Sequence, residues 1–232
     1  MRFAMNVRNS RPALLAALLA LPLGGLQAAT VCSWDVSGHL QSVAAVTKVA
    51  EVLSRCDLVA LQGIPRAQYL DAIEVSMNRM GGPKWLKLSS GGSDKGFLWR
   101  EDRTRFAGRE RLDPGPGAAY SARFSVEGLD AIAFATISPR TVDQALSPDS
   151  VTSFLGAMDE RYPEDRRRWV LAGQLPDGAL APSDALARSL SQTYAWLPRG
   201  DGLSRTSDMW APIGFRASIR RAGEIPTPWA KP

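Results

Sequence analysis

The stretch CDLVALQGI, Cys56 to Ile64, has four apolar residues in a row, Leu58, Val59, Ala60 and Leu61. Such a run has no polar face, so it reads as a strand buried on both sides. It closes on Gln62 and Gly63. Thr30 to Trp34 reads as another strand. Between the two, Ser42 to Arg55 places Val43, Val46, Val49, Ala50 and Leu53 at helical spacing. Strand, helix and strand in this order predict a βαβ unit with parallel strands.

Working outward, Gln68 to Met80 predicts a second amphipathic helix carrying Leu70, Ile73, Met77 and Met80, stopped by Gly81-Gly82-Pro83. The middle of the chain changes character. Trp85–Leu88, Gly96–Arg100, Ala122–Val126 and Ala131–Ile137 are short strand candidates. Gly91-Gly92 and the Asp113 to Gly117 run separate them, which predicts antiparallel pairing. Ser147-Pro148 offers an N-cap with proline at the first helical position, and Val151, Phe154, Leu155 and Met158 share the face that follows. Trp169–Gly173 is a further strand and Ser183–Leu190 a short helix. Trp196 and residues 213–219 supply the last strands, and Pro226 to Pro232 an irregular tail. Trp85, Trp99, Trp169 and Trp196 are expected in the core. The expectation is one mixed α/β domain whose sheets are covered by helices.

The first 29 of the 232 residues are expected to be a signal peptide. Arg2, Arg8 and Arg11 precede an apolar run from Pro12 to Leu26, and Gln27-Ala28-Ala29 offers small residues for cleavage. The run is shorter than the roughly 20 residues of a membrane span, and no later segment is expected to span a bilayer. The domain is then residues 30–232, in the periplasm or outside the cell. Residues 1–29 hold three of the 28 basic residues and none of the 23 acidic ones. Residues 30–232 therefore carry 25 basic and 23 acidic groups, a formal charge of +2. So small an excess gives no support to nucleic-acid binding. Cys32 and Cys56 could be a disulfide in an oxidising compartment or two buried thiols. Two cysteines with one histidine, His39, do not make a zinc site without carboxylates.

The order of segments resembles the endonuclease/exonuclease/phosphatase superfamily, the DNase I-like fold. VCSWDVSG and CDLVALQGI resemble its two opening strands, which end in Trp-Asn or Phe-Asn and in Gln-Glu. Gly96-Phe-Leu-Trp-Arg100 resembles its aromatic strand, and Ala133 to Pro139 the strand that carries a histidine. Trp169 to Pro176 resembles the lead into Gly-Asp-Phe-Asn, and Ser207 to Ile219 a later strand with an acidic residue. The resemblance implies an α/β (α+β) two-layered β-sandwich flanked by helices, the DNase I-like four-layer architecture. It also implies metal-assisted phosphoester hydrolysis, with a hard cation held by oxygen ligands and a base to activate water.

Position by position, the chain departs from that chemistry. Asp35 stands at the amide position and is the one candidate metal ligand. Gly63 replaces the metal-binding glutamate. Thr136 or Ile137 stands for the histidine, and Gln174 and Pro176 for the Asp and Asn. Substitutes are Asp177, Asp208 and His39. A single missing acid or base costs about 10²- to 10⁴-fold, and a unit that lacks several members fails together. The expectation is a catalytically inactive binding or accessory domain with no cofactor. Its partner would be a protein, a glycan or a phosphorylated ligand in the old cleft. The alternative is an active Mg-dependent phosphodiesterase or nuclease with a relocated acid set.

Overall fold

The computed structural model describes residues 29–90, 94–108, 111–112, 119–127, 132–137, 148–165, 169–173, 194–197 and 208–212. The expected leader, the Ser147 cap, the Ser183–Leu190 helix, the strand at residues 213–219 and the tail lie outside them.

The βαβ unit is present. Strand β1 (Val31–Asp35) leads through helix α1 (Val43–Leu53) to β2 (Leu58–Gln62), and the strands pair in parallel from Val31 opposite Leu58 to Asp35 opposite Gln62. Ser42 starts α1, because its extended backbone lets the side chain accept from the Ala45 N–H at 3.1 Å. Val43 was expected on the buried face and is instead 84% exposed. The first turn of α1 is mostly exposed, and Val46, Val49, Ala50, Val52 and Leu53 make the buried stripe.

Helix α2 (Ala67–Arg79) buries Leu70, Ile73 and Met77. Met80, expected on the same face, is the C-cap and is 42% exposed. Gly81 and Gly82 follow it at φ of 79° and 94°, a left-handed backbone that ends the helix. Strands β3 (Trp85–Ser89) and β4 (Gly96–Arg100) pair antiparallel and complete a sheet in the order β1-β2-β4-β3.

The second sheet is built from β5 (Thr104–Phe106), β6 (Arg111–Leu112), β7 (Tyr120–Val126), β8 (Ile132–Ile137), β9 (Trp169–Gly173), β10 (Tyr194–Leu197) and β11 (Asp208–Pro212). Its order is β10-β11-β9-β8-β7-β5, with β6 also on β7. β8 and β9 run parallel and the other pairs antiparallel. The connection between the parallel pair includes helix α3 (Pro148–Arg161), followed by a 3-10 turn at Pro163–Asp165. β5 and β6 escape sequence reading because three and two residues are too few to show a period. β11 lies just ahead of the strand expected at residues 213–219.

Three packed interfaces make four layers. α1 and α2 pack Val49, Leu53, Leu70 and Ile73 against Trp34, Val59, Leu61 and Leu98 on the outer face of the first sheet. Leu58, Ala60, Phe97 and Trp99 face Tyr120, Phe124, Phe134 and Val170 between the sheets. Phe97 sits among Tyr120, Phe124 and Phe134 at centroid distances of 5.3, 5.3 and 5.6 Å. Each such ring pair adds about 0.5–1.5 kcal/mol to the area it buries. On the far face of the second sheet, α3 buries Phe154, Leu155 and Met158. Met158 Sδ lies 4.0 Å from Ser121 Oγ, and Tyr162 leans on Trp169. Trp85, Trp99 and Trp169 are buried as expected.

Cys32 and Cys56 form a disulfide, Cα to Cα 6.2 Å, so the thiol alternative falls. The bond ties the second residue of β1 to the turn before β2. Among the described residues no helix is long and apolar enough to cross a membrane.

Candidate functional site

Parallel pairing brings the C-terminal ends of β1 and β2 together, so Asp35 is level with Gln62. β8 and β9 do the same in the second sheet, with Ile137 opposite Gly173. β11 enters antiparallel, with Asp208 opposite Gly173. The two edges meet at one end of the sandwich. Gln62 Nε2 crosses between the sheets and donates to Thr136 Oγ1 at 2.6 Å and to Ser33 Oγ at 3.2 Å. Asp35, Gly63, Thr136 and Asp208, far apart in sequence, therefore share one edge of the fold. Gln174, Pro176 and Asp177 lie outside the described residues.

Asp35 is 2% exposed, and its Oδ1 accepts from the Ser37 N–H at 2.8 Å. The carboxylate is folded back over its own turn. Gly63 explains why it can be there. The backbone at Gly63 has φ of 67°, and a Cβ on it would meet Ser37 Cβ at 2.7 Å and the Ser37 nitrogen at 2.9 Å, with Asp35 Oδ1 closer still. Contacts under 3 Å require something to move, and the left-handed backbone adds about 1–2 kcal/mol for any L side chain. The glutamate that the superfamily resemblance calls for has its space filled by Asp35.

Thr136 is fully buried and faces the inter-sheet layer. Its hydroxyl serves the Gln62 amide, leaving a neutral pair where the resemblance places the family's histidine. His39 lies in the loop after β1. Its backbone N–H donates to the Val36 carbonyl at 3.0 Å and its ring leans on Trp34 at 5.6 Å. Among the described residues no group of three His, Cys, Asp or Glu side chains is placed to hold a metal ion. With the ligand position at Gly63 closed, the described residues do not fit the cation that the resemblance implies.

One residue at this edge was missed. Leu61 pairs with Gly96, so the next position brings Lys95 level with Gln62. The Lys95 side chain is wholly buried, and its Nζ donates to Asp94 Oδ1 at 2.6 Å. A buried ammonium needs such a partner, because desolvation costs several kcal/mol. Ser90 holds the Lys95 carbonyl through its N–H and its hydroxyl, and the Asp94 backbone carbonyl accepts from the Ile64 N–H. In sequence nothing separates Lys95 from a surface lysine; only the register shows its burial.

The opposite end of the sandwich is built differently. Asp57, at the start of β2, is 2% exposed. Its Oδ1 meets Arg100 Nη1 at 3.2 Å and its Oδ2 meets Arg103 Nη1 at 3.1 Å. Arg100 also grips Asp102 through two nitrogens, and Arg103 reaches Glu127. The bond to Arg100 holds the Asp102 carboxyl below its ordinary pKa, and the same bond raises Arg100.

No family model and no curated protein matches the chain. Solved structures do. The human Nocturnin catalytic domain with a bound sulfate superposes with a TM-score of 0.54 at 12% identity, over 80% of this chain and 82% of that one. TDP2 from D. rerio in complex with a single-strand DNA product gives 0.51 at 14% identity, over 79% and 83%. A humanized D. rerio TDP2 gives 0.50 at 14%, over the same shares. At such identities the likeness speaks to fold alone. Two stacked mixed sheets with helices outside, in a chain that superposes on these structures, give this protein the DNase I-like fold of the endonuclease/exonuclease/phosphatase superfamily.

Proposed function

We propose that residues 30–232 form an exported pseudoenzyme of this fold, which binds a partner at the strand-end edge and does not hydrolyse phosphoesters. Residues 1–29 are its leader. One observation carries the reading: the buried Asp35 carboxylate occupies the space in which a side chain at Gly63 would begin. The edge is thus remodelled around its glycine rather than left one residue short. Partners in keeping with the edge are a protein, a glycan or a phosphorylated ligand.

A second reading has one observation in its favour. Asp208 stands opposite Gly173, at the edge that holds Asp35. A relocated set drawn from Asp35, Asp177, Asp208 and His39 would make the chain a Mg-dependent phosphodiesterase. Titration calorimetry of the purified 30–232 chain with Mg²⁺, alongside cleavage of plasmid DNA, separates the two. The pseudoenzyme gives no saturable Mg²⁺ heat and no nicking. Mg²⁺-dependent nicking that disappears in Asp35→Ala establishes the second reading instead.

A further inference from the structure

We propose that the exported chain is cut at the Ala29–Thr30 bond, and that the α-ammonium released on Thr30 becomes a built member of the Asp57 ion-pair cluster. This rests on the export proposed above and on nothing at the strand-end edge.

Thr30 is held from both sides before β1 begins. Its nitrogen lies 2.8 Å from Asp57 Oδ2. Its carbonyl accepts from the Asp57 N–H at 2.8 Å and from the Leu58 N–H at 3.3 Å. Asp57 is fixed in turn by Arg100 and Arg103, which pair onward with Asp102 and Glu127. The cluster therefore holds three carboxylates against two guanidiniums, a formal charge of −1. An α-ammonium at Thr30 brings it to zero. In the uncut chain the same nitrogen is an amide with one proton and no charge. Thr30 is exposed, so a free end there leaves its remaining protons in water. Ala29 supplies the small residue directly before the cut, while the third place before it is Gln27, so the A-x-A pattern is only half met and the geometry at Thr30 carries the choice of bond. A cut one residue earlier would put the charge on Ala29, a residue away from the carboxylate.

The step is hydrolysis by a leader peptidase. Water adds its hydroxyl to the Ala29 carbonyl carbon, the C–N bond breaks, and the Thr30 nitrogen leaves as an amine that takes up protons to become ammonium at neutral pH.

Expression of the full chain in a secreting host, followed by intact mass and N-terminal sequencing, is expected to give a protein that starts at Thr30. A start at any other residue overturns the proposal alone; a retained leader overturns it together with export. The second measurement uses three chains of defined start: Thr30, Nα-acetyl-Thr30 and Ala29. By NMR titration the Thr30 α-amino group should titrate above the ordinary value of about 8. A raised folded pKa contributes stability that is present below the unfolded value and is lost as pH rises through the folded one. The urea midpoint of the Thr30 chain should therefore fall, relative to its acetylated form, as pH rises past about 8. The Ala29 chain should show a smaller change. An ordinary α-amino pKa in the Thr30 chain, with midpoints parallel to the acetylated chain, overturns the proposal. The acetylated chain keeps the N–H donor and loses only the charge, so misfolding does not confound the comparison.

Discussion

The two ends of the sandwich handle a buried aspartate in opposite ways. At one end Asp57 is surrounded by charge: two arginines, each with its own second carboxylate. At the other, Asp35 turns back onto the Ser37 N–H, beside a glycine and a neutral glutamine–threonine pair. The superfamily resemblance places its catalytic positions at the second end, so it implies charge there. Among the described residues the dense network lies at the first end, where it ties β2, β4 and β5 to the segment that leads into β1. Lys95 brings a second buried charge to the strand-end edge beside Asp35, and Asp94 pairs with it.

Removing the anchor tests that contrast most severely. Asp57→Ala leaves Arg100 and Arg103 facing each other and Thr30 without its acceptor, and should cost about 4 kcal/mol in a urea titration. A loss under about 1 kcal/mol, the range of exposed pairs, would show that solvent already screens this end. The disulfide belongs to the same end, since Cys56 adjoins Asp57. Replacing both cysteines by serine releases a loop with a sequence separation of 24 residues and should cost about 3 kcal/mol.

The strand-end edge should answer differently. Gly63→Glu restores the residue that the resemblance calls for, yet it should destabilise by about 2 kcal/mol through its left-handed backbone and its clash with Asp35. Calorimetry should find no Mg²⁺ binding gained, because the new side chain displaces the carboxylate it would need. Tight Mg²⁺ binding by that variant would mean the edge is only one residue short of a site. Thr136→Val removes the main acceptor of the Gln62 amide and should cost about 1 kcal/mol, with Ser33 retaining part of the bond.

The smallest effect belongs to Asp102, which is half exposed. Asp102→Asn should cost less than about 1 kcal/mol at pH 7. Because its folded pKa is lowered, chiefly by the bond to Arg100, its contribution is present above the ordinary carboxylate value of about 3.9 and disappears as pH falls through the lowered one. The wild-type and Asp102→Asn denaturation midpoints should therefore converge on acidification. A gap that widens instead would place the ion pair outside the network.

Much of the frame was legible because it rests on local periods. The Leu58–Leu61 run, the helical spacing through Val46, Val49 and Leu53, and the Pro148 start each repeat a rule within a few residues. Val43 and Met80 were misplaced for a related reason: a period marks a face but not where the packed surface beneath it ends. β5 and β6 were too short to carry a period at all. At the candidate site, Gly63 and Thr136 could be read as departures, since a missing side chain is visible in a sequence. Their new roles could not, because the space Asp35 fills and the bond from Gln62 join residues 28 and 74 positions apart.

Residue chemistry by itself determined the longer strands and helices among the described residues, and that Gly63 and Thr136 stand where the resemblance calls for an acid and a base. Only the tertiary structure decided what those positions do instead. It joined Cys32 to Cys56, drew Lys95 inside, and gathered the charges around Asp57. Backbone period acts over one or two turns of chain, whereas burial, pairing and charge balance depend on what the rest of the fold brings alongside.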